Sequence, residues 1–310
     1  MLKKVFVILF LVFICSHLSI SFIEADELKI SSDNNNNKKY KYNLSICAIF
    51  KNEAHYLKEW IEYHRIFGVD HFYLYNIGSR DFYQAVLMPY IEKGIVTLIN
   101  WPEAISYQGD NYAYKWALST QIPAYENAVN FVARDQTKWL VVVDIDEYLV
   151  CPKENIVDLL KQYDDYPGIS LSSDFFDAAI YDKIPQRKLL IQSLNLASPP
   201  KQIIDEAVAK MIFKPNLCQG FIWPPYQCRF KYPQSSIAVN RQELRINHYI
   251  NRNMEYSSFM KKAGYKLNVD NRILSEKEIT VLLKAGYMIE DQDRPIYQHI
   301  PELLKRMGQK

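Results

Sequence analysis

Trp139-Leu140-Val141-Val142-Val143-Asp144-Ile145-Asp146-Glu147 is the stretch on which the reading of this chain turns. Its apolar start is rich in β-branched valine and suits a strand buried on both faces. The run ends abruptly in carboxylates at Asp144, Asp146 and Glu147. Side chains alternate along a strand, so Asp144 and Asp146 are expected on one face while Ile145 turns inward. Two carboxylates on one face repel unless a cation joins them. A divalent ion carrying phosphates does this well, because Mg²⁺ and Mn²⁺ prefer oxygen ligands.

The elements upstream give this strand its context. Leu44 to Phe50 reads as a buried strand, an apolar run bounded by polar residues. From Ala54 to Phe67 the positions Leu57, Trp60, Ile61 and His64 recur at helical spacing, and Gly68 suits the end. His71 to Tyr75 is a second strand; a helical stretch to Lys93, interrupted or bounded by Pro89, leads to a third at Ile95 to Ile99. Gln108 to Gln136 is expected to be helical in its second half. Strand and helix alternate, which argues for an α/β fold with a mostly parallel central sheet flanked by helices. In such sheets ligands collect at the carboxyl ends of the strands. Lys51-Asn52-Glu53, Asn76 to Asp81 and Asp144 to Glu147 all fall at such ends. Beyond Tyr148 the pattern gives a helix near Asn155 to Tyr163, a strand near Ile169 to Leu171, and an irregular proline-containing region. A Ser275/Glu278 capping box then precedes a helix near Lys277 to Ala285.

Three readings of Asp144-x-Asp146 remain open on the residues alone. It holds a metal that neutralises a nucleotide-sugar diphosphate; it is a phosphatase motif of the haloacid dehalogenase type with Asp144 as nucleophile; or it is an exposed acidic turn. Tyr148 stands where the phosphatase motif carries Thr or Val, and the motif lies far from the start of the fold. Its place behind a buried strand in an alternating chain favours the metal site.

Composition narrows the field further. The chain has 310 residues, 49% hydrophobic and 23% charged, which is globular and long enough for one large domain or two small ones. Lys+Arg number 37 against 35 Asp+Glu, a net charge of +2 that supplies no broad field for nucleic acid. None of the 9 glycines falls in a G-x-G-x-x-G or G-x-x-x-x-G-K pattern, which argues against a Rossmann dehydrogenase and a P-loop ATPase. At the N-terminus, Lys3-Lys4, an apolar run from Val5 to Cys15 and a weaker tail to Ile23 describe an export segment over residues 1–25. A cleaved signal peptide and an uncleaved anchor, with the membrane reached through this segment, are both open. Residues 26–42, with Asn34 to Asn37 and Lys38-Lys39, read as a polar stem, and the folded domain is expected over 43–310. Cys47, Cys151, Cys218 and Cys228 lack paired C-x-x-C spacing, which argues against zinc; Cys218 and Cys228 flank Pro224-Pro225, and a disulfide there is left open.

The ordered series Lys51-Asn52-Glu53, Leu57-x-Glu59-Trp60-Ile61-Glu62-Tyr63-His64, Gly68-Val69 and His71-Phe72-Tyr73-Leu74-Tyr75 resembles glycosyltransferase family 92. The resemblance continues through Ser79-x-Asp81, Pro89-Tyr90, Gly94, Trp101-Pro102, Gln121-x-x-Ala124-Tyr125, Lys138-Trp139, Asp144 to Glu147 and Leu244-Arg245-Ile246-Asn247-His248-Tyr249. It implies a GT-A type nucleotide-sugar-binding fold, a divalent metal (Mn²⁺ first, Mg²⁺ second), and inverting transfer from a UDP-sugar to a glycan acceptor, with galactose as first guess. Carried over by position, Lys51, Asn52, Glu53, Ser79 and Asp81 border the nucleotide. Asp144 and Asp146 contact metal and ribose or diphosphate, with His248 as third ligand. His64, on the apolar face of its helix, is assigned to packing.

Inverting transfer also needs a base for the acceptor hydroxyl, worth about 10²–10⁴-fold. Asp174 and Asp177, after a predicted strand end, are the candidates, with Glu147 as alternative. The stretch Ile169 to Asp177 departs from the family pattern of a Trp and a Phe-Gly pair, which leaves the acceptor open. A non-catalytic carbohydrate- or nucleotide-binding module of the same fold is the competing class. For a eukaryotic source the export segment implies a Golgi-type, single-pass type II protein.

Overall fold

Tyr42–Phe50 forms β1, and from Leu44 onward every residue of it is buried. Leu44, Ile46, Ala48 and Phe50 pack into one hydrophobic cluster, while Cys47 and Ile49 pack into a second. Alternate side chains thus enter cores on opposite faces, as a central strand of a two-sided sheet requires. The computed structural model describes residues 39–104, 112–152, 155–176, 189–193, 196–197, 210–222, 226–249, 289–290 and 295–309. Those from Tyr40 onward belong to one compact unit. The expected N-terminal export segment and the helix at Lys277 to Ala285 lie outside the described residues. Among the described residues no helix is long and apolar enough to cross a membrane.

The other strands of the main sheet are β2 (His71–Asn76), β3 (Val96–Asn100), β4 (Thr137–Val142), β5 (Glu147–Val150), β6 (Gly168–Phe175), β7 (Lys210–Phe213), β8 (Ile237–Ala238) and β9 (Arg245–His248). They form a nine-stranded sheet in the order β3-β2-β1-β4-β7-β6-β9-β5, with β8 beside β6. β3, β2, β1 and β4 are mutually parallel, so their carboxyl ends share one edge. β7 runs antiparallel to both β4 and β6, and β5 antiparallel to β9.

One face of β1 is covered by α1 (Ala54–Ile66), which buries Leu57, Trp60, Ile61 and His64 at the spacing its sequence predicts. Its end is set by Gly68 at φ 95°, where an added Cβ would lie 2.6 Å from Asn155 Oδ1. Asn155 caps α5 (Ile156–Leu160) by accepting from the Val157 N–H. α2 (Tyr83–Glu92) runs through Pro89 rather than stopping there. The bond that Pro89 cannot donate would go to Ala85, and both residues are exposed, so losing it there costs less than it would in the core. The opposite face is covered by a helical run in which α3 (Tyr112–Trp116) and α4 (Ile122–Asn127) alternate with π-helical turns at Ala117–Gln121 and Ala128–Val132. Its Ala124, Tyr125, Ala128 and Val129 are buried in the second cluster.

Candidate active site at the acidic turn

β4 ends at Val142, and β5 begins at Glu147. The acidic residues therefore sit on a turn between two strands, not on the alternating strand end expected from the sequence. The reason is local. The Glu147 N–H donates to the Asp144 carbonyl at 3.1 Å, and the Asp144 N–H donates to Glu147 Oε2 at 2.9 Å, so the chain closes on itself. Ile145 does turn inward, at 2% exposure. Two outer contacts pin the turn: Trp60 Nε1 donates to the Glu147 carbonyl at 2.9 Å, and the Tyr249 N–H to the Asp146 carbonyl at 2.9 Å.

Four strand ends meet here because antiparallel neighbours bring starts against ends. β7 pairs Phe213 with Leu140 and Ile212 with Val141, so its first residue, Lys210, arrives beside the end of β4. β9 pairs with β5 so that His248 lies directly across from Glu147. Lys210 Nζ is 2.7 Å from Glu147 Oε2 and 3.1 Å from Asp144 Oδ2, and the side chain is almost wholly buried. His248 places Nδ1 3.4 Å from Glu147 Oε1 and Nε2 3.6 Å from Asp146 Oδ1. Asp146 and Glu147 are each 1% exposed, so the exposed-turn reading does not describe them. Burial would lower the His248 pKa, but the Asp146 and Glu147 carboxylates outweigh it and the net shift is upward. Burial raises the Glu147 pKa, against the pull of Lys210 and His248.

Asp144 is also held by Tyr226, from the loop after β7. Tyr226 donates its hydroxyl to Asp144 Oδ2 at 3.0 Å, and Lys210 Nζ lies 3.0 Å from the centroid of the Tyr226 ring. Gln121 Nε2 donates to Tyr125 Oη at 3.0 Å and to Tyr226 Oη at 3.5 Å. Gln121 ends the first π-helical turn, a distortion that often marks functional positions. The disulfide Cys218–Cys228 closes the loop that carries Tyr226, settling the pairing the sequence left open.

The loops after β1 and β2 lie on the same sheet edge and are zipped to each other. Asn52, at φ 56°, donates its N–H to Ser79 Oγ at 2.9 Å and accepts from the Arg80 N–H at 2.8 Å. Asp81 Oδ2 accepts from the Ala54 N–H at 2.8 Å and so caps α1, a role that the Glu53 side chain does not take. Lys51 pairs with Glu103 at 2.8 Å. These five residues border the edge where Asp144 sits, and Lys51, Asn52, Ser79 and Asp81 bond across it to neighbouring loops and α1.

A family model for glycosyltransferase family 92 matches residues 40–283. The chain belongs to glycosyltransferase family 92. Family 92 proteins of Oryza sativa and Ricinus communis are each 24% identical to it, over 68% and 74% of this chain. The chain spans about a third of their length, 34% and 33%. A galactan β-1,4-galactosyltransferase of Arabidopsis thaliana is 30% identical over 43% of this chain and 26% of its own. Among solved structures, S. aureus TarS 1–349 in complex with UDP aligns over 86% of this chain and 79% of that one, at 9% identity and a TM-score of 0.40. The sheet of this family 92 chain is parallel through β1 to β4 and covered by helices on both faces, the α/β architecture expected from the sequence.

For a family 92 chain a divalent ion is the implied cofactor. Among the described residues no group of three or more His, Cys, Asp or Glu side chains is disposed to hold one. The donor pair that fits is Asp146 Oδ1 and His248 Nε2. Bonds of about 2.1 Å to one ion can span up to about 4.2 Å, and the pair is 3.6 Å apart. Carboxylate oxygen with imidazole nitrogen also suits an Mn²⁺-like ion. Asp144, also expected as a ligand, has its Oδ2 engaged by Lys210 and Tyr226.

The structure does not bring Asp174 to this cluster. Arg241 and Arg245 both pair with its carboxylate, the latter at 3.0 Å. It pairs in register with Asn247, so by alternation its side chain leaves the sheet on the face opposite His248. Asp177 lies outside the described residues. Lys210 and Tyr226 are the residues that sequence reasoning missed. Their only signals are a lysine opening the apolar run Met211-Ile212-Phe213 and a tyrosine after two prolines. His64 is buried and structural: Nδ1 bonds the Trp60 carbonyl at 2.8 Å and Nε2 accepts from the Leu149 N–H at 3.2 Å.

Proposed function

We propose that this protein is a metal-dependent inverting glycosyltransferase that moves a hexose, galactose first, from a UDP-sugar to a glycan acceptor. The observation that carries the reading is the acidic turn itself: Asp146 and His248 form an O/N donor pair, beside an Asp144 already oriented by Lys210 and Tyr226. Membership of family 92 supports the reaction class, and the galactosyltransferase relative supports galactose.

Asp146 and His248 would hold the ion, which when bound offsets the charge developing on the departing diphosphate. Asp144 faces the nucleotide's ribose or diphosphate, and Lys51, Asn52, Glu53, Ser79 and Asp81 border the nucleotide along the same edge. The acceptor oxygen forms its bond to the anomeric carbon as the bond to UDP breaks, inverting that centre. Its proton passes to a carboxylate. We assign that role to Asp177 rather than Asp174, whose carboxylate is already held by two arginines. Glu147 is committed to Lys210 and to its own turn. The export segment over residues 1–25 would deliver the domain to a secretory route.

Calorimetric titration of UDP into the protein, with and without Mn²⁺ and beside Asp146→Asn, tests the reading. Metal-dependent binding that the variant loses is expected, followed by release of free hexose from UDP-galactose. No UDP binding in either condition sinks it. Binding without turnover on any donor supports the non-catalytic module.

A further inference from the structure

Lys210 is a lysine in an unusual place. It is 2% exposed, and an ammonium that far from water persists only with close partners. It has three: Glu147 Oε2 at 2.7 Å, Asp144 Oδ2 at 3.1 Å, and the Tyr226 ring at 3.0 Å from its centroid. Asp146, the remaining carboxylate of the turn, faces His248 instead. The turn is thus divided, with one ammonium across Asp144 and Glu147 and an imidazole across Asp146 and Glu147.

We propose that Lys210 is a positioning residue, the resident cation of the acidic turn. It holds Asp144 and Glu147 in place when no divalent ion is present. It also weakens binding of a free divalent ion, so that the ion enters together with a diphosphate. The Lys210 ammonium offsets part of the charge of the Asp144, Asp146 and Glu147 carboxylates, so the attraction for a bare dication is less than the carboxylates alone would exert. A diphosphate brings the extra negative charge that restores it. The coupling to a diphosphate rests on the transferase reading; the competition between Lys210 and a free dication does not.

The test uses the full chain and Lys210→Met, which keeps the stem and removes the charge. Mn²⁺ affinity without nucleotide is measured by calorimetry, and the thermal midpoint is read in EDTA and in Mn²⁺. The variant is expected to bind Mn²⁺ alone at least tenfold more tightly than the wild type. Its midpoint should fall in EDTA and be restored by Mn²⁺, while the wild-type midpoint moves little. A merely structural lysine predicts the opposite sign, since a loosened turn binds the ion more weakly. Unchanged or weaker Mn²⁺ affinity in a folded Lys210→Met overturns the proposal. If that variant does not fold in EDTA, Lys210→Gln is measured the same way, and failure of Mn²⁺ to rescue either variant overturns it as well. UDP binding to the wild type is scored separately. Tighter Mn²⁺ in the variant with no UDP binding by the wild type removes the transferase reading and leaves the resident-cation role standing.

Discussion

Trp60 donates its indole N–H to the backbone carbonyl of Glu147 at 2.9 Å, across 87 residues of sequence. The helix that covers β1 is thereby fastened to the turn that carries the acidic residues. Trp60 is 0% exposed and packs beside Phe72, so the anchor is also part of the main core.

Trp60→Phe keeps an aromatic ring in the core but leaves the Glu147 carbonyl without its donor. An unsatisfied buried acceptor costs about 1–3 kcal/mol, and the lost volume adds to that. Urea unfolding should show a lower midpoint at unchanged m-value. UDP affinity should fall with it, because the turn loses one of its two outer pins. A stability loss with wild-type UDP affinity would show that the anchor serves the core alone.

Tyr226→Phe separates the two ways in which Tyr226 reaches the site. The ring under Lys210 stays, while the hydroxyl bond to Asp144 and the Gln121 contact disappear. A single hydrogen bond to a charged group is worth about 1.5–3 kcal/mol. UDP binding in Mn²⁺ should therefore weaken roughly tenfold or more with little change in Mn²⁺ affinity. Equal UDP affinities for variant and wild type would show that Tyr226 does not orient Asp144.

How much of this was legible beforehand depends on the range of the interactions. β1, α1 and β2 rest on apolar spacing over a dozen residues, and the structure places them within two residues of where the pattern does. Asp144 and Asp146 stood out because carboxylates end a buried apolar strand, and His248 because Asn247-His248-Tyr249 resembles the family 92 signature. Lys210 did not, since its burial depends on Asp144, 66 residues earlier, and no local pattern encodes an antiparallel β7. Asp174 failed to reach the cluster for a similar reason. Its arginines come from the β9 region, 67 residues on in the case of Arg241, and strand pairing decides which face they share. Turn chemistry was the other blind spot: Glu147 closes the loop on Asp144, so the strand ends two residues before the acidic motif.

The Cys218–Cys228 disulfide, with Cα atoms 5.8 Å apart, closes a sequence separation of 10 residues around Tyr226. Closing so short a loop stabilises a chain by about 2–3 kcal/mol in the loop-entropy account. A Cys218→Ser, Cys228→Ser double variant should lose about that much in urea unfolding. Its UDP affinity should fall in the direction of Tyr226→Phe. An unchanged unfolding midpoint under oxidising conditions would mean that the pair is not bonded in solution.

Glu59 and His64, one helical turn and more apart on α1, should give the protein opposing pH dependences. Glu59 is buried, accepts from the Leu190 N–H at 2.8 Å and the Ile191 N–H at 3.3 Å, and burial pushes its pKa up to about 7. The folded chain therefore holds a proton that the unfolded chain releases above about pH 4.5. Glu59's contribution is full below that pH and is lost as pH rises through about 7. Burial lowers the His64 pKa to about 3 from 6.5, which reverses the sign. There the unfolded chain takes up the proton, so the contribution is full above about pH 6.5 and is lost as pH falls toward 3. Each one-unit shift is worth about 1.4 kcal/mol, so both slopes are measurable. Urea unfolding at pH 4.5, 6 and 8 should show Glu59→Gln gaining on the wild type as pH rises. His64→Gln should gain on the wild type as pH falls. Parallel pH profiles for all three proteins would mean that neither group changes its proton affinity on folding.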